Sequence, residues 1–527
     1  MIIGCLCLVA LFLSPLTATA NNLSISNVSI KNRDTSAQTV VVEFDISWDN
    51  AWKDVINTDG VWIFIKSSQD GGTTWSHATL KSSGTNPSGF SRGSKAGGSI
   101  LSIDLVVPPD KKGCFIQPAY YGSGTLNFTD IQLLWAYGND GVSDADVIHA
   151  TNSKVKVFGV EMVYIPQGGF YAGDTSSNAA FRQGSADSRP WFIPNENAIH
   201  VTGVAAGGYY YAAMDFIAGE DTSGSEFWIS GEYPKGYKAF YLMKYEMSQQ
   251  QYVDFLNSLT RTQQASRVAS NISADTVANY YVMHNTNAVV NRDTIRCPAS
   301  GNGTTNPIVF SADRPARAAN YLSWMDLMAY ADWAGLRPMT ELEYEKAARG
   351  SVGYVAGEYA WGSTSITACA TVSGSESGAE TCSTSNANAN YNNTTFTGGD
   401  GGSGPLRVGI FATSLTTTRQ PSGAGYFGNL ELSGNVWERT VTVGNAAGRV
   451  FLGTHGDGEL SSSGYATNAD WPGYASGEIT DSAGSGLRGG AWFYLNVLST
   501  VAFRYYAAAS YSSRNNCYGG RLARTVS

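Results

Sequence analysis

The fold of this chain is best indicated by LRGGAWFYLNVLSTVAFRYYAAASYSSRNNCYGGRLAR, residues Leu487–Arg524. Between Ala491 and Gly520 this segment contains no Asp, Glu, Lys, Gln or Met, whereas Tyr, Phe, Ser and Asn are frequent. Rigid amphipathic rings mixed with small polar side chains are typical of adaptable binding surfaces. The segment therefore predicts a binding face, or alternatively a set of aromatic side chains buried in the last strands of the fold.

Three further motifs precede this segment. EMVYIPQGGFYAGD begins at Glu161 with a strand and a Gly-Gly turn, and YKAFYLMKYEMSQQQYVDFLNSL contains a helix capped by Ser248. RPARAANYLSWMDLMAYADWAGLRPMTELEYEKAARG predicts a helix capped by Ser323 and a second helix capped by Thr340. Apolar side chains repeat with helical spacing behind each cap, so we expect all of these helices to face the core.

Together the four motifs, in this order, resemble the formylglycine-generating or sulfatase-modifying factor family over about Glu161–Ser527. The resemblance implies an α+β fold of the C-type-lectin-like kind, with a small twisted antiparallel sheet, few helices and much irregular loop. We predict this domain over residues 158–527.

The oxidising members of that family carry two cysteines shortly after the Arg-Gly-Gly turn, where they hold copper and react with oxygen. No cysteine occurs here from Phe493 to Phe503, and Tyr494 and Ser499 lie closest to the two positions. Neither side chain provides a thiolate, so we expect no copper and no oxidase activity. Another branch makes sulfoxides with an iron site built from histidines, for which this chain shows no cluster. A branch that modifies a siderophore chromophore stays open.

The terminal segment also resembles the variable region of proteins diversified by retroelements, which place hypervariable residues on the same scaffold. Adenine-directed mutation of Asn codons produces Tyr, Ser, Val, Leu, Phe and Cys, which are the residue types found here. We expect Arg488, Trp492 and Arg504 to hold the scaffold. The predicted contact residues of the binding face are Phe493, Tyr494, Tyr505, Tyr506, Tyr511 and Tyr518.

Loops of this family carry calcium, and a hard cation prefers side-chain and backbone oxygens that converge from a tight loop. Two islands in a polar region offer such oxygens, NANANYNN at 386–393 and GYFGNLELSGNVWERT at 425–440. The alternative is that the amide and carboxylate groups of the second island only hydrogen-bond the loop. The expected calcium ligands are Asn435, the carbonyl of Val436, Glu438 and Ser433 in the second island, and Asn390 and Tyr391 in the first.

The N-terminal residues predict export followed by an all-β domain. Residues 1–20 read as a secretory signal peptide, because a short apolar run is followed by Ala18-Thr19-Ala20. No second long apolar stretch follows, so we expect a secreted protein without a transmembrane segment. Over residues 21–157 the runs TVVVEFDISW, VWIFIKSS and SILSIDLVV alternate apolar and polar residues between Gly- and Asn-rich turns. This pattern predicts an immunoglobulin-like β-sandwich that acts as a spacer or docking module.

Composition limits the partners and the redox chemistry. With 15% charged residues and a net charge of −9, the chain lacks the basic clusters that nucleic acid binding requires. Cys369 and Cys382 flank a Gly/Ser-rich loop, where a disulfide would remove loop-closure entropy. Five cysteines remain after the signal peptide, so at least one thiol stays free; Cys517 is the candidate, and the partners of Cys114 and Cys297 stay open.

Three functions agree with these observations. The first is a secreted, non-catalytic ligand-binding or display protein that recognises an unknown protein or glycan. The second is an enzyme of the same superfamily with an unrecognised chemistry. The third is a structural surface or matrix protein that self-associates. The missing cysteine pair and the aromatic terminal segment favour the first.

Overall fold

The structure, a computed structural model, describes residues 22–99, 101–149, 151–176, 180–203, 207–213, 219–416 and 418–526. The predicted signal peptide lies outside the described residues. Within these ranges no helix is both long and apolar enough to cross a membrane.

Strands dominate the N-terminal part. A four-stranded antiparallel sheet is formed, in spatial order, by Ser24–Asp34, Thr39–Lys53, Gly122–Trp135 and Ser94–Lys95, and the other strands of this part join a larger sheet. The bounds are β1 Ser24–Asp34, β2 Thr39–Lys53, β3 Asp59–Ser68, β4 Ser76–His77, β5 Gly84–Thr85, β6 Ser94–Lys95, β7 Ile103–Val107, β8 Cys114–Pro118 and β9 Gly122–Trp135, with 3-10 turns at Tyr137–Asp140 and Asp146–Ile148.

The C-terminal part mixes short strands with six helices within the described residues. The helices are α1 Gln249–Leu256, α2 Arg261–Arg267, α3 Trp324–Trp333, α4 Glu341–Arg349, α5 Arg419–Ser422 and α6 Ala446–Arg449. The strands are β10 Lys154–Ile165, β11 Phe170–Ala172, β12 Phe181–Arg182, β13 Trp191–Ile193, β14 Ile199–Val201, β15 Tyr210–Tyr211, β16 Phe227–Ile229, β17 Phe240–Met243, β18 Ile295–Arg296, β19 Ser311–Ala312, β20 Arg337–Pro338, β21 Val372–Ser373, β22 Thr381–Cys382, β23 Trp437–Val441, β24 Tyr474–Ala475, β25 Glu478–Ile479, β26 Ser485–Arg488, β27 Tyr518–Gly519 and β28 Leu522–Thr525, with a 3-10 turn at Asn496–Ser499. The chain is thus an α+β protein, as predicted.

One nine-stranded sheet joins the two parts, in the order β20-β28-β17-β10-β3-β8-β7-β5 with β4 paired to β3. Strand β3 is buried on both faces because Val61, Ile63 and Ile65 point into the core shared with the four-stranded sheet. Its other side chains, Trp62 and Phe64, point into the core that covers α1 and α3. The layers are therefore a four-stranded sheet, the nine-stranded sheet and the helices.

The predicted division between residues 157 and 158 falls inside β10. Lys154–Val163 of this strand pair with β3, and Met162–Ile165 pair with β17 on its other edge. The N-terminal strands form two packed sheets around a common core, as a β-sandwich does. The immunoglobulin-like type of that sandwich stays a prediction.

The predicted helix boundaries are confirmed. Ser248, Ser323 and Thr340 cap α1, α3 and α4, and each cap side chain accepts a hydrogen bond from the backbone amide three residues later. Gly350 ends α4 with a φ of 79°, a left-handed conformation that glycine adopts without a steric penalty. The Thr340 cap matters most, because it places Glu341 in the first turn of α4, beneath the C-terminal segment.

Candidate binding face and candidate metal site

The C-terminal segment is fixed from below by buried ion pairs to α4. Arg504 donates from Nε and from Nη2 to the two carboxylate oxygens of Glu341, at 2.6 Å and 2.7 Å. Arg488 donates to Glu341 at 3.0 Å and to Glu345 at 2.6 Å. All four side chains are fully buried. The predicted scaffold role of Arg488 and Arg504 agrees with these contacts.

Trp492 is the third predicted scaffold residue, and its ring is also buried. Its indole N–H donates to the carbonyl of Asn516 at 3.0 Å, which ties the start of the segment to its end. The preceding Gly490 has a φ of 73°, and an added Cβ there would lie 2.2 Å from Oγ of Ser499. The turn therefore requires glycine, because Ser499 packs directly against it.

The predicted contact residues form a connected aromatic cluster. Ring centroids are 5.6 Å apart for Phe493 and Tyr494, 6.3 Å for Tyr494 and Tyr506, and 4.7 Å for Tyr505 and Tyr506. Tyr511 continues the cluster at 6.5 Å from Tyr506. Five of the six predicted residues thus lie in one continuous patch, which we call the aromatic face: Phe493, Tyr494, Tyr505, Tyr506 and Tyr511.

Exposure separates these residues from the sixth. Phe493 is 47% exposed and Tyr511 37% exposed, and Tyr494, Tyr505 and Tyr506 are half-buried. Tyr518 is only 6% exposed, with its ring stacked 6.1 Å below that of Tyr511. The guanidinium of Arg439 lies 5.0 Å from the Tyr518 ring. Tyr518 therefore supports the aromatic face from inside and does not lie on it.

Tyr494 and Ser499, the residues closest in sequence to the missing cysteines, lie in different surroundings. Tyr494 lies in the aromatic face, and Ser499 is fully buried under the Gly490 turn. Cys517 is the thiol that the fold brings next to Tyr494, but it is 1% exposed, and burial raises its pKa to about 12. A buried thiol with such a pKa is protonated at neutral pH and is therefore a poor nucleophile and a poor metal ligand.

The predicted disulfide is confirmed. Cys369 and Cys382 form a disulfide that closes the Gly/Ser-rich loop. Cys114, Cys297 and Cys517 are free and buried.

The two islands predicted to hold calcium do meet in the fold. The Asn390 side-chain amide donates to the side-chain oxygen of Asn435 at 3.0 Å, and the Asn435 backbone amide donates to the Asn390 carbonyl at 2.8 Å. The same Asn435 oxygen also accepts from the amide of Leu406 at 2.8 Å. Ser433 bonds the backbone of Ala360 and Ser499 instead. Tyr391 reaches the carbonyl of Ile366, at 3.5 Å.

Glu438 has a cationic partner that the sequence reasoning missed. Arg521 donates to one carboxylate oxygen of Glu438 at 2.7 Å and 2.6 Å, and both side chains are fully buried. The other carboxylate oxygen of Glu438 has no hydrogen-bond partner within the described part of the chain, and neither has the side-chain oxygen of Asn390. Among the predicted ligands, these two oxygens have lone pairs free to bind a cation. A cation bound to Glu438 would compete with Arg521 for the carboxylate. Calcium therefore stays a prediction, with Glu438 and Asn390 as the residues that would hold it.

Glu246 is a second acidic group that the motifs did not single out. Its carboxylate accepts from the side chain of Asn435 at 2.5 Å and from the amide of Val436 at 3.0 Å. Burial, followed by the nearby carboxylates of Glu431 and Glu438, raises its pKa well above the usual value. Across the described ranges, no three His, Cys, Asp or Glu side chains are grouped as a metal site. Glu246 lies three residues after the end of strand β17, and its burial could not be read from the sequence.

The sequence of the C-terminal part assigns the chain to a class of proteins. Residues 150–526 match the sulfatase-modifying factor enzyme 1-like domain. The chain therefore belongs to the sulfatase-modifying factor family.

Two bacterial relatives agree with this assignment. The chain is similar to the formylglycine-generating enzyme of Thermomonospora curvata, at 34% identity over 130 residues, which are 24% of this chain and 33% of the relative. It is similar to the formylglycine-generating enzyme of Streptomyces coelicolor at 51% identity over 49 residues, 9% of this chain and 15% of the relative. The matched parts thus span a third or less of these two relatives.

Proposed function

We propose that the protein is a secreted, non-catalytic ligand-binding protein, and that the aromatic face is its binding surface. The observation that carries this proposal is that different residues of the terminal segment hold its backbone and form its surface. Buried ion pairs hold its backbone, while five connected rings lie at or near the surface. Rings fixed in this way lose little conformational entropy when a ligand binds, which favours affinity.

The chemistry of the segment supports a non-catalytic function. Tyr494 and Ser499 lie close to the positions where oxidising members of the family have cysteines, and the neighbouring Cys517 is a buried, protonated thiol. Incubation of the mature protein with copper and a Cys-x-Pro-x-Arg peptide should therefore give no aldehyde above a control without protein. Aldehyde detected by mass spectrometry in that assay would favour an enzyme and overturn the proposal.

Binding is tested with single alanine variants on an array of extracellular proteins and oligosaccharides. Tyr506→Ala and Tyr511→Ala should lose at least one ligand that the wild-type protein binds, because truncating an interface hot spot costs about 2 kcal/mol or more. Trp228→Ala is the matched control, because Trp228 is 61% exposed and lies on strand β16, outside the aromatic face. Equal loss in all three variants would contradict a specific role of the aromatic face.

A further inference from the structure

A cleft of about 920 Å³ opens at the edge of the aromatic face and shares only Phe493 with it, among the residues that line the cleft. Trp492 and Phe493 line one side, and loops that include Asn291, Asn393 and Ser403 line the other. Sites for small ligands typically measure about 300–1,000 Å³ and combine apolar walls with a few fixed polar groups. The size and lining of this cleft therefore suit a small ligand.

The polar wall of the cleft is a fixed ionic group. Arg314 donates from Nε and Nη2 to the two oxygens of Asp400, at 2.6 Å and 2.7 Å. Arg317 donates to the same carboxylate at 2.9 Å. The Arg314 and Asp400 side chains keep exposures of 32% and 34%, so both remain accessible from the cleft. A bidentate pair of this kind has a defined geometry, which allows it to orient a ligand.

Buried contacts hold that wall from behind. Glu376 accepts hydrogen bonds from Arg292 and Arg317, and also from the backbone amide of Asp400 at 2.8 Å. Glu376 lies on the loop that the Cys369–Cys382 disulfide closes. The disulfide thus restrains Glu376, which in turn holds Asp400 in place at the wall of the cleft.

Every charged side chain that lines the cleft has an opposite partner. Arg314 and Arg317 pair with Asp400, Arg292 pairs with Glu376, and Asp313 pairs with Arg296 from outside the cleft. Because each of these charges already has a partner, a charged ligand gains less here than it would at an unpaired side chain. A ligand hydroxyl, in contrast, both donates and accepts, so it can bond the remaining lone pairs of Asp400 without breaking the pair.

We propose that this cleft binds a neutral carbohydrate, with one sugar ring packed on Phe493 and its hydroxyls bonded to Asp400, Arg314 and Asn393. The exposed ring of Phe493 supplies the apolar surface against which the C–H face of a sugar packs, and the paired charges and amides supply the polar contacts. This assignment rests on the proposed ligand-binding function, and it names the class of ligand for the cleft at the edge of the aromatic face.

The test is an array of neutral, sialylated and sulfated oligosaccharides, followed by calorimetric titration with the strongest neutral oligosaccharide on the array. We expect neutral oligosaccharides to bind, and Phe493→Ala and Asp400→Asn each to raise Kd about tenfold or more. Trp228→Ala and Asp187→Asn are the matched controls. Trp228 is an exposed aromatic residue elsewhere, and Asp187 forms a surface ion pair with Arg189 at 2.6 Å. Melting curves of all four variants show that the fold is retained.

The outcomes distinguish failure of the carbohydrate assignment from failure of the proposed function. Binding only of sialylated or sulfated oligosaccharides overturns the neutral-ligand assignment, and so does binding that Phe493→Ala and Asp400→Asn leave unchanged. If no oligosaccharide binds but Tyr506→Ala abolishes capture of a protein, the cleft assignment is wrong and the proposed function stands. If neither an oligosaccharide nor a protein binds, both are wrong.

Discussion

Arg504 and Glu341 form a bidentate ion pair between residues 163 positions apart in the chain, and neither side chain is exposed to solvent. The guanidinium of Arg504 also lies 4.2 Å from the ring of Phe181. Although burial alone raises the pKa of Glu341, Arg504 and Arg488 lower it below its usual value. The carboxylate is therefore ionised in the folded protein, and it fixes the segment that carries the aromatic face.

Removing one partner of this pair should destabilise the protein strongly. Arg504→Ala leaves Glu341 with only Arg488 as its cationic partner, and breaking a buried pair in this way costs about 3–5 kcal/mol. The measurement is the free energy of unfolding in urea. Arg189→Ala is the control, because the Arg189–Asp187 pair is exposed and screened by solvent, so its loss should leave stability nearly unchanged. Equal destabilisation by both substitutions would contradict the role given to Glu341 and Arg504.

Tyr511 on the aromatic face and Tyr518 beneath it should respond differently to truncation. Tyr518→Ala removes a 6% exposed ring beneath the guanidinium of Arg439, so we expect a loss of about 3 kcal/mol or more in stability. Tyr511→Ala removes a 37% exposed ring and should change stability by less than about 1 kcal/mol. Thermal unfolding followed by circular dichroism distinguishes them. A larger loss for Tyr511→Ala would show that the exposed rings are part of the core.

Calcium should raise the melting temperature, because an ion that binds only the folded state stabilises it by mass action. The free carboxylate oxygen of Glu438 is the group that would bind it, so Glu438→Gln should abolish the increment. The comparison is the increment between calcium and chelator within each variant, because losing the charge at Glu438 also weakens the contact with Arg521. Glu459→Gln, on a different loop, should keep the wild-type increment. An unchanged wild-type melting curve in chelator would refute the calcium prediction.

Stability should also rise with pH above neutrality because of Lys66. Burial lowers the pKa of this residue to about 7, from 10.5, and its ammonium donates to the carbonyl of Gly458. Between pH 7 and pH 10 the unfolded chain binds more protons at this site than the folded chain, so the folded state gains stability as pH rises. Asp332, whose pKa burial raises to about 7, acts in the opposite direction and only below that pH.

Lys66→Met should therefore be more stable than the wild type at pH 7, and should lose the part of the rise between pH 7 and pH 10 that Lys66 contributes. Lys235 and Lys346, whose pKa burial lowers to about 8, keep their contributions to the rise. The expected difference is on the order of a few kcal/mol, because each pKa unit corresponds to about 1.4 kcal/mol. Urea unfolding at several pH values measures it, with Lys154→Met, an exposed lysine, as the control. Parallel pH profiles for Lys66→Met and the wild type would contradict the assignment.

The sequence by itself determined the features that depend on short stretches of chain. The caps at Ser248, Ser323 and Thr340 follow from side chains three residues from their partners, and the Cys369–Cys382 disulfide follows from one flexible loop. The family followed from four ordered motifs, and the loss of the cysteine pair from two residue identities. These contacts form between residues that are close together in the sequence. They can therefore be predicted without knowing how the rest of the chain packs.

Only the tertiary structure decided which side chains are buried and which of them form ion pairs or hydrogen bonds with each other. From the sequence, Tyr518 and Tyr506 were both predicted to lie on the binding face, but Tyr518 is buried. The sequence did not indicate that Arg521 pairs with Glu438, or that β3 contributes side chains to two cores. It also did not indicate that Glu376, from the disulfide loop, would fix a cleft beside Phe493. Burial and pairing arise from residues dozens to hundreds of positions apart, and the free energy of each contact depends on solvent exclusion by the whole fold.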